Sequence, residues 1–204
     1  MPSYNRIAGN SVERLAALSD GIFAVAMTLL VLELHGPVRE MVHSELELWQ
    51  GLGAMAPQLA TYLMSFLTLG IFWNGQQAQL NHMERSDRHL TWIHLAFLFA
   101  VSVMPFSTKL LAEFIRFRTA LLCYWCNIFL LGATLYMAWR CAVGEGHLKP
   151  DTPTEVNQAI VRRIFWGQGL YAAGALLCLV DPYVSIGFIV LVQVNFAVGL
   201  MSKF

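Results

Sequence analysis

The chain has 204 residues, 13 of them basic and 13 acidic, so its formal net charge is zero. Hydrophobic residues make up 57% and charged residues only 13%, with a mean hydropathy of +0.55, whereas a soluble domain is nearer a quarter charged and under half apolar. One domain of this size cannot enclose so much apolar surface. An ordinary cytosolic enzyme, a disordered chain and a secreted disulfide scaffold are therefore excluded, and the neutral balance argues against a nucleic-acid partner. The composition is that of an integral, multi-pass membrane protein.

In chain order, residues 1–20 carry no short apolar stretch ending in a cleavage site, so no signal peptide is expected. A crossing helix needs about 20 mostly apolar residues. Six segments meet or approach that: Leu18 to Leu34, Leu52 to Trp73, Leu90 to Phe106, Thr119 to Trp139, Ile164 to Val180, and Tyr183 to Met201. The polar HGPVREMVHSELELW between the first two is expected to end in a short amphipathic helix. Pro105 is expected to end the third span, and Asp181-Pro182 to turn the chain between the last two. GEGHLKPDTPTE, Gly144 to Glu155, reads as a polar linker. The expected fold is all-α: a single domain over residues 1–204 with six transmembrane helices.

Cys123, Cys126, Cys141 and Cys178 fall in or beside apolar runs and read as small buried hydrophobes. Cys123-x-x-Cys126 has metal or redox spacing but no second Cys/His pair nearby, so no metal site is expected. The six tryptophans lie mostly near span ends, as interfacial aromatics do. With a cytoplasmic N-terminus, nine basic residues lie inside (Arg6, Arg14, Arg85, Arg88, Arg140, Lys149, Arg162, Arg163, Lys203) and four outside (Arg39, Lys109, Arg116, Arg118). Both termini are therefore expected in the cytoplasm.

The first span, ERLAALSDGIFAVAMTLLVLEL, is the informative one. An ionised carboxylate within a span is costly and calls for a partner, and Asp20 stands near the start. It reads either as a helix cap or as part of a polar cluster. At about 100° per residue, Val25, Thr28, Leu29 and Leu32 share one stripe, extended by Leu18 and Ile22, while Asp20 points roughly 140° from Val25. That stripe faces either lipid or other copies of the helix. Thr28 either bonds back to its own helix or presents its hydroxyl. Glu33 is either an interfacial charge or part of an outer cation mouth. Gln193 and Asn195 are expected to make modest interhelical hydrogen bonds.

Arg14-x-x-x-Leu18-Ser19-Asp20 and the GIFAVAMTLLVLEL that follows resemble the signature of the transmembrane protein 175 family of potassium channels, written R-x-x-x-F-S-D. The likeness is close over the first span and continues through the third. Where the family has Trp-x-x-His, this chain has Trp73-Asn74-Gly75-Gln76, and an asparagine position holds His94. An amide and an imidazole thus look exchanged between helices. Arg14, Ser19, Asp20, Gln76 and His94 are expected to form one hydrogen-bonded cluster binding spans one to three.

A lone first span encloses no path, and it is not repeated later in the chain. The resemblance implies a homotetramer in a bacterial plasma membrane, the first helices lining a central pore. It further implies apolar rings at Val25, Leu29 and Leu32 as gate and a Thr28 layer for selectivity. Rings of leucine or valine make a constriction that gates by dewetting. The expected function is passive, potassium-preferring cation conduction without cofactor, with lipid and potassium ions as the other partners. The alternative, a proton-coupled or other secondary transporter, calls for mid-membrane carboxylates and broken helices, which the spans lack. An enzyme is not expected: the chain has no HExxH, no G-x-S-x-G and no phosphate loop.

Overall fold

The computed structural model describes residues 11–198, and the chain termini lie outside that range. It contains seven α-helices among the described residues: α1 Val12–Leu32, α2 Glu45–Ala54, α3 Ala56–Leu80, α4 Arg88–Glu113, α5 Arg118–Gly144, α6 Thr154–Leu176 and α7 Pro182–Val198. Short polar side chains start several of them. Ser11, Ser44 and Asp87 accept the backbone N–H of Arg14, Glu47 and Leu90, and Asp181 accepts those of Tyr183 and Val184. Each satisfies a donor that the helix itself cannot.

Each of the six expected segments lies mainly in one helix, α1, α3, α4, α5, α6 or α7, with different ends, and the expected short helix is α2. By length and apolarity α1, α4 and α5 can cross a bilayer alone. A fourth crossing results if α2 and α3, bent by 44° at Met55, are counted together. The hydropathy of α6 is diluted by its polar first turns, since the helix begins ten residues before the apolar stretch, and α7 is short. The expected cytoplasmic termini fall on undescribed residues.

Several local expectations are corrected. Pro105 does not end its helix: α4 runs on to Glu113, and the Ser107 hydroxyl donates to Met104 O one turn back. Proline removes one backbone donor, and tight packing on both sides compensates. Trp139 is no interfacial aromatic; it is fully buried and donates to Asn157 Oδ1 at 2.9 Å. Of the cysteines only Cys178 is buried, while Cys123 and Cys126 are exposed on α5. The linker after Gly144 is not a free polar loop either. It folds back through an isolated bridge between Leu148 and Met83, and His147 is buried.

In the main core Phe97 of α4 meets Phe23 of α1 and Phe72 of α3, with ring centroids 5.9 and 6.5 Å apart, and Leu121, Tyr124 and Ile128 of α5 belong to the same cluster. A smaller cluster around Leu80, Leu90 and Trp139 closes the end where α1 begins. Hydroxyls and side-chain amides link helices inside the bundle. Thr108 donates to Ser65 at 2.7 Å, Ser65 to the Tyr124 hydroxyl at 3.2 Å, and Gln193 of α7 to Thr68 at 2.6 Å. Thr68 spends its own proton on Met64 O and also lies 3.2 Å from Tyr124 Oη. Buried polar groups in a membrane interior persist when they are paired in this way.

Candidate functional site

Spacing of three and four residues puts Leu15, Ser19, Phe23, Ala26 and Leu30 on one side of α1, and all five are buried against α3 and α4. Val12, Ala16, Ile22 and Met27 are partly packed beside them, and the opposite side of the helix is exposed. Val25, Leu29 and Leu32 are 57%, 42% and 68% exposed, and Leu18 and Thr28 are exposed with them. Ile22 is the exception in the expected stripe, being partly packed on the core. The exposed side of α1 and the adjoining face of α4, including Leu95 and Phe99, bound an open apolar groove of about 590 Å³.

The polar residues at the start of α1 divide. Ser19 Oγ is fully buried, donates to Leu15 O at 2.8 Å and accepts Gln76 Nε2 at 2.9 Å. Asp20, one residue and about 100° further round, is exposed, and its Oδ1 accepts Trp73 Nε1 and Gln77 Nε2, each at 2.8 Å. The single five-membered cluster is therefore corrected to two separate links from α1 to α3. Arg14 is exposed and its guanidinium joins neither link among the described residues. His94 is buried on α4 without a hydrogen bond to Gln76 or Ser19. Adjacent residues on a helix diverge too far to share one cluster, which is why Ser19 and Asp20 separate.

Trp73 and Gln77 were not among the expected site residues. Their signal was available: positions 73 and 77 are one turn apart and present two N–H donors on one strip of α3, matching the lone carboxylate of α1. Toward the other end, Thr28 Oγ1 lies 2.8 Å from Val25 O and 3.0 Å from Ala24 O, so its proton is committed to its own helix. Its oxygen lone pairs remain on the exposed side. Glu33 caps α1 and pairs with Lys109 at 3.2 Å, which offsets its charge.

The sequence profile described as endosomal/lysosomal potassium channel TMEM175 matches residues 14–105, from the Arg14 motif through α3 to Pro105. A crystal structure titled as a lysosomal potassium-selective channel TMEM175 homolog from Chamaesiphon minutus superposes with a TM-score of 0.79 at 28% identity, covering 92% of this chain and 96% of that one. Over residues 14–105 the chain resembles the TMEM175 family. A potassium channel of Streptomyces collinus is 38% identical over 107 residues, and this chain covers about half of its length, 50%. The mouse endosomal/lysosomal proton channel TMEM175 is 29% identical over 111 residues, 22% of its length. These relatives are named as ion channels, and this chain shares the all-helical fold of the solved homolog, with helices long and apolar enough to cross a membrane.

Proposed function

We propose that this chain is one subunit of a passive, potassium-preferring cation channel in a bacterial plasma membrane, with α1 of four subunits surrounding the path. One observation carries the reading: α1 buries Phe23, Ala26 and Leu30 while leaving Val25, Leu29 and Leu32 uncovered. Closed rotational symmetry would bring those uncovered faces together. Rings of Val25, Leu29 and Leu32 then form dry constrictions that ions cross only when wetted. Thr28 contributes a ring of hydroxyl oxygens whose protons already point at backbone carbonyls. Such a ring replaces part of a cation's hydration and repels anions. Asp20 is kept off the path by Trp73 and Gln77, so its role is in holding α1 to α3. Glu33, paired with Lys109, supplies a weaker outer attraction for cations than an unpaired carboxylate would.

The test is ion flux and reversal potential in liposomes containing the purified protein, with potassium, sodium and proton gradients imposed separately, since relatives are named for potassium and for protons. Leu29→Asn is expected to raise basal conductance by wetting the constriction. The mass of the solubilised complex is expected to equal four chains. Unaltered conductance in Leu29→Asn, or a monomeric mass in an active preparation, overturns the reading.

A further inference from the structure

A second group of chemically active side chains lies at the opposite end of α4 from Pro105, away from the exposed face of α1. His89 stands in the first turn of α4, Cys141 in the last turn of α5, Glu145 just beyond it, and His147 two residues on. Gly146 between the last two has φ of +66°, a conformation that glycine adopts without strain. That reversal directs Glu145 and His147 to the same place. His147 is held by its backbone, its N–H donating to Ala142 O and its carbonyl accepting Glu84 N, both at 2.9 Å.

The separations are those of a coordination shell. His89 Nδ1 lies 3.4 Å from Glu145 Oε1 and 3.8 Å from Cys141 Sγ. His147 Nε2 lies 3.3 Å from Glu145 Oε2 and 3.6 Å from Asp87 Oδ1. A tetrahedral zinc ion with ordinary bond lengths spaces its nitrogen and oxygen ligands about 3.3 Å apart and a nitrogen from a sulfur about 3.6 Å apart. His147, only 6% exposed, faces the other oxygen of Glu145 through Nε2, so that carboxylate is shared by two triads: His89, Cys141 and Glu145, and Asp87, Glu145 and His147. Arg85 donates to Gly146 O in this turn.

We propose that the triad His89, Cys141 and Glu145 binds one divalent transition-metal ion of the zinc class through His89 Nδ1, Cys141 Sγ and Glu145 Oε1, its fourth position open to water, with His147 and Asp87 adjoining the shared carboxylate. Thiolate and imidazole favour zinc-like ions over calcium or magnesium. Binding releases the Cys141 thiol proton to solvent and ties the start of α4 to the end of α5. The inference stands apart from the conduction reading and survives its failure.

The full chain, purified in detergent and stripped with a chelator, is titrated with zinc ion and the retained metal is counted after desalting. One ion per chain is expected. Cobalt(II) used as a spectroscopic stand-in is expected to give a thiolate-to-metal charge-transfer band. Cys141→Ser is expected to abolish that band, and His89→Ala, a change at an exposed position, to weaken zinc binding roughly tenfold or more. Because Cys141→Ser could itself disturb folding, the variant C123S/C126S/C178S, which leaves Cys141 as its one thiol, is expected to keep the band. Absence of retained zinc, absence of the band in the unaltered protein, loss of the band in the triple variant, or unchanged zinc affinity in His89→Ala each overturns the site.

Discussion

Ser19→Ala is expected to destabilise the protein more than Asp20→Asn, although the serine is the smaller and uncharged neighbour. Ser19 Oγ is 0% exposed and accepts the Gln76 amide at 2.9 Å while donating to Leu15 O. Alanine leaves the Leu15 carbonyl with its ordinary helical bond. It strands Gln76, which is also 0% exposed and whose Oε1 has no protein partner. A buried polar group isolated in this way costs about 1–3 kcal/mol. Asp20→Asn keeps an acceptor oxygen for Trp73 and Gln77 on an exposed face, where substitutions usually fall within about 0.5 kcal/mol. Removing both partners in S19A/Q76L spares the stranding. The two single changes are therefore expected to exceed the double by a coupling of about 0.6 kcal/mol, with about 1.7 as the upper range for interhelical bonds in membranes. Thermal and denaturant unfolding of the solubilised protein, followed by tryptophan fluorescence, reads the four species. Strict additivity, or a larger loss in Asp20→Asn than in Ser19→Ala, refutes the reasoning.

Three further expectations rest on other contacts. Thr28→Val removes the oxygen ring while keeping the shape, and should lower the potassium-over-sodium preference measured from reversal potentials without lowering unfolding temperature. Asp20→Ala, unlike Asp20→Asn, leaves the Trp73 and Gln77 donors without their acceptor; the fraction of intact complex by size-exclusion light scattering should fall while ion preference in the surviving complex holds. A Cβ on Gly174 would sit 2.7 Å from Ile189 and 3.1 Å from Phe188, so Gly174→Ala should cost about 1–3 kcal/mol through overpacking of α6 on α7. Gly169→Ala, on the same helix with nothing within 4 Å, should stabilise by about 1 kcal/mol through helix propensity; equal unfolding temperatures for the two variants would remove close packing as the cause.

Where the helices lie was readable because lipid imposes a length and a composition on anything that crosses it. Their ends were not. Hydropathy cannot see the first turns of α1, whose start is set by Ser11, or the ten residues that α6 gains before Ile164. Pro105 misled because a local rule about proline ignores what packing on both sides of α4 can hold in place. Spacing alone put Val25, Leu29 and Leu32 on one side of α1, and they are uncovered together, but it also placed Ile22 there, which packs on the core. The partner of Asp20 was not, since Trp73 read as an interfacial ring and nothing in one helix reports which strip of another it meets. His147 was hidden for a related reason. Its burial depends on the Leu148 to Met83 bridge, a contact across 65 residues, while its own neighbours are those of an ordinary polar linker.

The hydroxyl series inside the bundle has a direction. Thr68 gives its only proton to Met64 O, so it must receive from both Tyr124 and Gln193. For α7 this matters in a particular way. That helix is greasy nearly all round, and neither acyl chains nor an apolar neighbour would prefer one azimuth of it over another. Its Gln193 amide fits one acceptor, and its Ser185 hydroxyl fits the Gly174 carbonyl at 2.6 Å. Together they act as two teeth of a key, indexing the last helix to a single rotational setting once the lock formed by α3, α5 and α6 exists to receive it.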